Sequence, residues 1–333
     1  MFIYNAVLAF NSWIWGIPIL IILIGGGLYL SFITGFVQVR HFPTIIKSTV
    51  GSMFNKEEMK EETGKHHGTI SSFQAVSAAL AAVLGTGNIV GVGTAIAAGG
   101  PGAIFWMWVV GFVAMALKYS EACVSIAVRE KKPEGGYKGG ANYYLSKINK
   151  PLGFAWSIAI MYGLITAAGV HTGSVVTAAE SLGVPRLVAT IIVCIIIALI
   201  IFGGLQALVQ ITERLVPFMA AIYILAGLAV VVLNIGNLVP AIVSIFKGAF
   251  TGTAALGGFA GATVSAAIRN GCARGVYSSD AGNGQSSIAY SQSSETDPVK
   301  QGMWGVFEVF FDTIVVCTFT ALVILCTGVW QTG

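Results

Sequence analysis

Long apolar stretches alternate with short polar segments along the chain. Asp, Glu, Lys and Arg are absent from residues 66–117, and similar uncharged runs recur from the N-terminus to residue 268. An uncharged apolar stretch of about 18 or more residues is typical of a membrane-spanning helix. The pattern predicts eight spans, near residues 12–37, 70–98, 103–128, 151–181, 187–205, 215–233, 255–277 and 301–327.

The composition supports this pattern and excludes the soluble classes of protein. Of the 333 residues, 56% are apolar and 10% are charged, and the mean hydropathy is +0.82. Soluble domains carry about 25% charged residues. A net charge of +4 is too small to predict nucleic-acid binding. We therefore predict an all-α, multi-pass membrane protein whose surroundings are the lipid bilayer.

Basic residues are distributed unequally between the two sides that these spans define. Fifteen Lys and Arg residues lie on one side, at the end of the seventh span and in the loops 40–69, 129–150, 206–214 and 278–300. The opposite side holds only Arg186 and Lys247. Because cytoplasmic loops carry the excess of Lys and Arg, we predict a cell-membrane protein with cytoplasmic basic loops and an outside N-terminus.

Glycine residues interrupt the predicted span 70–98 near its centre. Four of the nine residues 85–93 are glycine, and Thr86 and Asn88 lie among them. Each glycine costs about 1 kcal/mol relative to alanine inside a helix. Irregular backbone at membrane depth is tolerated only inside protein or beside a water-filled cavity. We therefore expect a broken helix over 81–91, with close packing of small residues as the alternative.

A broken helix would present free N–H groups and free carbonyl groups to a ligand. A half-helix that begins near Asn88 would direct free N–H groups and its positive dipole end toward an anion. The carbonyl groups freed before it, at Ala81, Val83 and Leu84, would attract a cation or an ammonium group. Residues 257–263 form a second glycine-rich stretch, and two such interruptions are typical of transporter sites. The pattern predicts a site for an amino-acid zwitterion and a coupling ion.

Four charged residues lie inside the predicted spans: Lys118 and Glu121 in one, Glu308 and Asp312 in another. A charge at the bilayer centre costs about 2.5–3.5 kcal/mol on insertion scales, so each requires a partner or water. The members of each pair share a helix face, and their matching depth permits a cluster of Lys118 with carboxylates. Such a cluster is either a structural ion pair between two helices or a gate or proton-sensitive network.

Six segments together resemble the alanine/glycine:cation symporter family, which comprises sodium:alanine symporters. They are Gly85-Thr-Gly-Asn-Ile89, Gly99-Gly-Pro-Gly-Ala-Ile-Phe-Trp-Met-Trp108, Lys118-Tyr-Ser-Glu121, Ala273-Arg-Gly-Val-Tyr277, Asp280-Ala-Gly-Asn-Gly284 and Glu308-Val-Phe-Phe-Asp-Thr-Ile-Val-Val-Cys-Thr318. The resemblance covers nearly the whole chain. It implies a LeuT-type fold, with two inverted five-helix repeats and one extra N-terminal helix.

The pattern of spans and the resemblance together divide the chain into five parts. They are an extra N-terminal helix at 1–39, a cytoplasmic loop at 40–69, the first repeat at 70–233, an extracellular amphipathic or re-entrant segment at 234–254, and two helices of the second repeat at 255–333. The family has three further helices in that repeat. We therefore expect this chain to be a fragment or the product of a truncated gene.

The resemblance also implies roles for individual residues. Those that would surround the substrate are Val83, Thr86, Gly87, Asn88, His171, Ser174, Phe259, Ala260, Gly261 and Thr263. Among them, Thr86 and Gly87 would hold the substrate carboxylate through their N–H groups, and the Val83 carbonyl would receive the amine. The carbonyl groups of Ala81 and Leu84 would supply part of a sodium site.

The chain departs from the family in the fourth predicted span. The family commonly carries a Gly-Asn-Met-x-Gln-like sequence there, which aligns with residues 170–174 of this chain. His171 and Ser174 replace the usual pair of amide side chains, so we expect this site to differ in substrate preference. His171 is either a proton sensor or a hydrogen-bonded residue of the pocket.

These observations predict a secondary transporter, with no catalytic residues and no cofactor besides its coupling ion. It would couple uptake of a small neutral amino acid, such as alanine or glycine, to inward movement of Na⁺. The alternatives are coupling to H⁺, a larger polar amino acid as substrate, or an ion channel, which would need a continuous polar path. A membrane-embedded enzyme would need a clustered nucleophile and base or a metal set such as H-E-x-x-H, which this sequence lacks.

Overall fold

Helices make up nearly all of the described part of the chain. This computed structural model describes residue 5 and residues 17–53, 70–133, 135–251 and 263–331. The α-helices are α1 Ile17–Ile33, α2 Val37–Arg40, α3 Phe42–Met53, α4 Ser72–Val83, α5 Val92–Gly99, α6 Ala103–Val128, α7 Ala141–Ile148, α8 Lys150–Ser181, α9 Arg186–Phe202, α10 Gly204–Leu233, α11 Leu238–Thr251, α12 Val264–Ser279, α13 Ser286–Ser291, α14 Pro298–Val309 and α15 Cys317–Thr327. The remaining elements are the π-helical segments Gly87–Gly91 and Phe310–Val316, the 3₁₀ turns Ile235–Asn237 and Val329–Gln331, and the antiparallel strands β1 Glu130–Lys131 and β2 Tyr137–Lys138.

Four of the described helices are long and apolar enough to cross a membrane: α6, α8, α10 and the continuous helix Pro298–Thr327. The bent pair formed by α4 and α5 provides a fifth candidate. Helices α1 and α9 overlap the predicted spans 12–37 and 187–205, and each has 17 described residues, whereas a full crossing requires about 20. The predicted span 255–277 lies partly outside the described residues.

The predicted loop at 206–214 is wrong. Helix α10 continues without interruption from Gly204 to Leu233 and includes Glu213 and Arg214. Residues 205–216 contain neither Gly nor Pro, so no residue in them ends a helix. The charge of Glu213 is accommodated at the helix surface, where its Oε2 accepts a hydrogen bond from Gln74 Nε2 at 2.9 Å.

Three apolar clusters hold the helices of the described residues together, and one of them joins α3, α6 and α14. Val76, Leu80 and Trp304 belong to the cluster that joins α4, α10 and α14. The third cluster joins α5, α6, α11 and α15. Glycine permits the close contact between α6 and α12, because a Cβ at Gly271 would lie 2.1 Å from the carbonyl oxygen of Ala103. Close packing through small residues is the ordinary means by which membrane helices associate.

Helix α12 runs beside the bent pair, from one end of that pair to its middle. Near the start of α12, Ala267 packs against Gly99. Near its end, the Ser278 hydroxyl accepts a hydrogen bond from Asn88 Nδ2 at 3.2 Å. The chain that follows Ser279 therefore lies at the depth of the interruption in the bent pair.

The two arginine residues of α12 differ from the predicted distribution of charge. They were expected beside the basic loops, but α12 places Arg269 and Arg274 in the half of the molecule that contains Gly99. Arg274 Cδ lies 3.9 Å from the position of a Cβ at Gly91, beyond the interruption. The predicted bias of fifteen basic residues against two becomes thirteen against four, which still favours the same orientation.

Arg129 fixes the segment that connects α13 to α14. Its guanidinium donates hydrogen bonds to three backbone carbonyl groups of residues 291–295, at 2.5–3.3 Å, and lies 3.6 Å above the ring of Tyr137. The same segment forms a parallel bridge between Ser293 and Ile70, next to the start of α4. This end of the bent pair is therefore closed by backbone hydrogen bonds.

Candidate functional site

The bent pair is interrupted directly after Val83, where α4 ends. Leu84 has extended backbone angles (φ −71°, ψ 104°), and the helical backbone resumes at Thr86. The two parts are inclined at 53° to each other, and the second begins with the π-helical turn Gly87–Gly91. The broken helix predicted over 81–91 is thus confirmed.

Side chains from two other helices flank this interruption. From α8, His171 Nδ1 lies 3.1 Å from Thr86 Oγ1, and the ring lies 3.5 Å from the position of a Cβ at Gly85. From α12, the Tyr277 ring lies 3.4 Å from the corresponding position at Gly87. The glycine residues therefore bring the backbone of the interruption close to both aromatic rings.

A cleft of about 150 Å³ opens beside the interruption. Its lining residues are Leu84, Gly85, Asn88, Ile89, Met219, Ala220, Tyr223 and Val316. The Tyr223 hydroxyl is held by Thr320 at 2.6 Å. Pockets for drug-sized ligands measure roughly 300–1,000 Å³, so this cleft suits a small molecule.

Asn88 connects the interruption to the last long helix. It is only 2% exposed, and its Oδ1 accepts a hydrogen bond from the Gly85 N–H at 2.9 Å. Its Nδ2 donates to Asp312 Oδ1 at 2.7 Å. The sequence placed Asn88 beside the substrate. In the structure its polar atoms bind other parts of the protein.

The other predicted residues of the site lie at different distances from the interruption. Ser174 lies one turn beyond His171 on α8, and its hydroxyl donates to the Val170 carbonyl of the same helix at 3.0 Å. Val83 is buried in the apolar cluster of α4, and Ala81 is half-buried beside it. The structure thus brings His171 to the break but gives Ser174 a hydrogen bond within its own helix.

A second interruption separates α12 from α13, at residues 280–285. Asp280, Gly282 and Gly284 adopt left-handed backbone angles, with φ of 52°, 91° and 80°. Helix α12 ends there, and the chain turns before α13 begins. Because Ser278 contacts Asn88, this interruption lies close to the first one.

The sequence predicted the second interruption elsewhere, at 257–263. Phe259, Ala260 and Gly261 lie outside the described residues. Thr263 caps the start of α12, where its hydroxyl accepts a hydrogen bond from the Ala266 N–H at 3.2 Å. Within the described residues, the interruption next to Asn88 is the turn at 280–285, which the sequence assigned to a cytoplasmic loop.

Lys118 lies at the centre of a buried polar cluster around this second interruption. Its ammonium group is 3.3 Å from Glu308 Oε1, with both side chains fully buried. It also donates hydrogen bonds to the Asp280 carbonyl at 3.2 Å and to Ser286 Oγ at 2.8 Å. Tyr290 donates its hydroxyl proton to the other oxygen of Glu308. The cluster therefore connects α6 and α14 to the turn between α12 and α13.

The four charged residues inside the spans form two separate groups. Glu121 joins the Lys118 group, because its Oε1 accepts a hydrogen bond from the Gly284 N–H at 3.1 Å. Asp312 lies one helical turn beyond Glu308, but its hydrogen bonds go to Asn88, Ser278 and Thr313. Glu308 and Asp312, although one turn apart on the same helix, therefore bind different partners.

The chain matches known proteins along its whole length. A sequence model described as the sodium:alanine symporter family matches residues 1–333. An uncharacterized transporter of Bacillus subtilis, YflA, is 41% identical over 96% of this chain and 67% of its own length. An uncharacterized transporter of Haemophilus influenzae is 41% identical over 99% of this chain and 72% of its own. The sodium/alanine symporter AgcS of Methanococcus maripaludis is 41% identical over 96% and 69%.

Proposed function

The chain belongs to the sodium:alanine symporter family, a family of transporters and not of enzymes, and on this premise we propose that it takes up a small neutral amino acid together with Na⁺. In this proposal the helices have a LeuT-type arrangement, and alternating access takes place around the helix interruptions. The observation that carries the proposal is the 53° interruption at Leu84, which lies beside a cleft of small volume.

The start of the second half-helix would hold the substrate carboxylate. Thr86 and Gly87 are its first residues, and the first N–H groups of a helix have no partner within that helix. The positive end of the helix dipole adds to their attraction for an anion. The Thr86 hydroxyl would donate a further hydrogen bond. Because N–H groups and the positive dipole end repel a cation, the carboxylate end of the substrate belongs at this point.

The carbonyl groups on the other side of the interruption would bind positive charge. In the proposal, the Val83 carbonyl receives the substrate amine. Phe259, Ala260 and Gly261 lie outside the described residues, and Thr263, which caps the far end of α12, lies away from this site. The carbonyl groups of Ala81 and Leu84 contribute to the site of the coupling Na⁺. Extended backbone at Leu84 supports this assignment, because it removes the preceding carbonyl groups from the regular helical pattern.

His171 and Tyr277 would bound the space for the substrate side chain. They approach the interruption from two helices, and Ser174 lies one turn farther along α8. A histidine that hydrogen bonds Thr86 brings a polar group to a position where apolar contact would suit alanine. This contact supports a larger polar amino acid, such as glutamine, as the second candidate substrate, and coupling to H⁺ as the second candidate ion.

The same proposal includes the location and the orientation of the chain. Candidate spans and the remaining excess of basic residues on one side support a cell-membrane protein with cytoplasmic basic loops and an outside N-terminus.

Uptake by the complete gene product in proteoliposomes tests the proposal. Radiolabelled alanine should accumulate above its equilibrium level when Na⁺ is higher outside, and this accumulation should stop when a sodium ionophore is added. Accumulation driven by a proton gradient alone would replace Na⁺ by H⁺. Equilibration without accumulation would indicate a channel and would contradict the proposal.

A further inference from the structure

Arg274 lies beside the bent pair, one turn beyond the interruption. Its Cδ is 3.9 Å from the position of a Cβ at Gly91, the last residue of the π-helical turn. Gly91 follows Gly87 by four residues, which span about 6 Å at the rise of an α-helix. On α12, Arg274 and Tyr277 share a helix face because they are three residues apart, and the Tyr277 ring lies beside Gly87. Arg274 therefore neighbours the proposed carboxylate site, on the side of Gly99.

The charge of Arg274 has no acidic partner among the described residues. The ion pairs in that part of the chain join Lys118 to Glu308, Lys138 to Glu130 and Lys300 to Glu295. The Arg274 guanidinium also makes no hydrogen bond to the described residues, although its side chain is only partly exposed. A charge inside a membrane span requires a partner or water, and such a residue commonly marks a functional site.

The surroundings of Arg274 differ from those of Arg129, which has a structural role. Three backbone carbonyl groups and the ring of Tyr137 surround the Arg129 guanidinium. Arg274 instead faces Gly91. Among the described residues, Arg274 Cδ is the only atom of another element within 4 Å of the position of a Cβ at Gly91. Glycine therefore leaves room for a ligand beside Arg274.

The ligand that suits an unpaired guanidinium is a carboxylate. A guanidinium presents five N–H donors in a planar fork, which binds both oxygens of a carboxylate at once. The proposed function assigns the substrate carboxylate to the N–H groups of Thr86 and Gly87, and a substrate that approaches from the side of Gly99 reaches Arg274 before them. We propose that Arg274, in the space beside Gly91, forms an entry site that binds the carboxylate of the incoming amino acid.

This entry site deepens the proposed function and rests on it for the identity of the substrate and the side from which the substrate comes. A charge at the entrance raises the local concentration of the ligand and the rate of its association. The interruption offers N–H groups for the carboxylate and the Val83 carbonyl for the amine, so the substrate moves on from Arg274. Arg274 therefore affects how readily the substrate binds, and Thr86 and Gly87 affect how firmly it is held.

Saturation-transfer NMR with propionate, which is alanine without its amine, detects the entry site in the complete gene product in detergent. Gly87→Leu closes the site at the interruption, so propionate bound by this variant reports on Arg274. Adding Arg274→Gln should weaken that binding at least about tenfold. Arg186→Gln removes an arginine at the exposed start of α9, on the predicted outer side, and should leave propionate binding unchanged.

Uptake of radiolabelled alanine by proteoliposomes gives a second measurement in a protein that keeps Gly87. Arg274→Gln should raise the KM of alanine at least about fivefold, while the maximal rate stays within about twofold of the parent rate. Because salt screens a solvated charge, choline chloride added at constant Na⁺ should move the KM of the parent protein toward that of the variant.

Arg274→Lys covers the case in which Arg274→Gln does not fold. It keeps the charge but loses the planar fork, so it should weaken propionate binding at least about threefold. No propionate binding by folded Gly87→Leu, propionate binding that no Arg274 variant weakens, or an unchanged KM in Arg274→Gln would overturn the entry site. Propionate binding that depends on Arg274, in a gene product that takes up no amino acid, would overturn the proposed function and retain the carboxylate site at Arg274.

Discussion

Lys118 and Glu121, one turn apart on α6, bind opposite ends of the same helix interruption. Lys118 donates to the Asp280 carbonyl, where α12 ends, and Glu121 accepts from the Gly284 N–H, just before α13 begins. A basic group is favourable beside the carbonyl end of a helix, and an acidic group is favourable beside free N–H groups. The two charged side chains therefore bind a carbonyl group and an N–H group that the interruption leaves free.

Removing one member of the buried pair should destabilise the protein strongly. Lys118→Met leaves Glu308 buried without its cation, and we expect a loss of about 3–5 kcal/mol in the free energy of unfolding. The double variant Lys118→Met, Glu308→Gln should recover part of that loss. Equilibrium unfolding in detergent measures all three proteins.

The pair formed by Lys138 and Glu130 provides the matched control for this experiment. Its atoms are also 3.3 Å apart, but its side chains are 47% and 56% exposed. Lys138→Met should change the free energy of unfolding by less than about 1 kcal/mol. Equal losses at the two lysine residues would contradict the importance that we assign to burial.

Substitutions at Thr86 and Gly87 test the proposed carboxylate site. Thr86→Ala removes one hydrogen bond to a charged group and should weaken substrate binding by about 1.5–3 kcal/mol. Gly87→Leu should abolish binding, because its side chain would occupy the space beside the Tyr277 ring. Binding of radiolabelled substrate to the complete gene product measures both effects.

Gly163→Leu is the control for Gly87→Leu. Gly163 lies on α8, and among the described residues no other element comes within 4 Å of the position of its Cβ, so this variant should bind substrate normally. Gly87→Ala would place its Cβ at ordinary contact distance from Tyr277 and should reach the membrane in normal amount. Normal binding by both Gly87→Leu and Thr86→Ala would mean that the glycine residues serve packing alone.

Changing His171 should alter which amino acid is transported. His171→Asn combined with Ser174→Gln restores amide side chains at these positions, and we expect uptake of glutamine to fall relative to alanine and glycine. Competition among the three amino acids in one uptake assay gives the ratios. Thr177→Val, which removes a hydroxyl that donates to the Gly173 carbonyl of its own helix, should leave the ratios unchanged. Identical ratios in all variants would place His171 and Ser174 outside the substrate pocket.

Labelling of single cysteine residues tests the orientation. In a variant without the five native cysteines, a membrane-impermeant reagent applied to intact cells should label a cysteine at Lys247 but not one at Lys132. Permeabilised cells should show labelling at both positions. Labelling at Lys132 in intact cells would reverse the proposed orientation.

Residues 81–91 and 280–285 show what the sequence could and could not predict. The first interruption was predictable because glycine, Thr86 and Asn88 occur inside an otherwise apolar span. The turn at 280–285 follows a helix that carries two arginine residues and precedes a polar segment, so it resembles a surface loop. Its position inside the molecule depends on contacts with α6 that are distant in sequence. Lys118 and Glu121 carried the available signal, because charges inside a span require polar partners.

The predicted loop at 206–214 failed for a related physical reason. Glu213 and Arg214 are charged, and charge within a membrane protein usually marks the end of a span. A helix ends, however, only where its backbone pattern stops, and the residues on either side of this pair favour helix. The charged residues therefore indicated how deep this segment lies in the membrane. The start of helix α10, however, is set by Gly203 and Gly204.

The bridge between Ile70 and Ser293 makes motion at this end of the molecule observable by isotope exchange. The amide hydrogens of Ile70 and Ser294 bind backbone oxygens of the opposite strand, at 3.1 and 2.7 Å. While the bridge is intact, both hydrogens exchange slowly with deuterated solvent, and they exchange quickly once α4 separates from the segment that Arg129 holds. Mass spectrometry of peptides that cover these two residues therefore reports how readily the bridge opens, with no chemical probe attached to the protein.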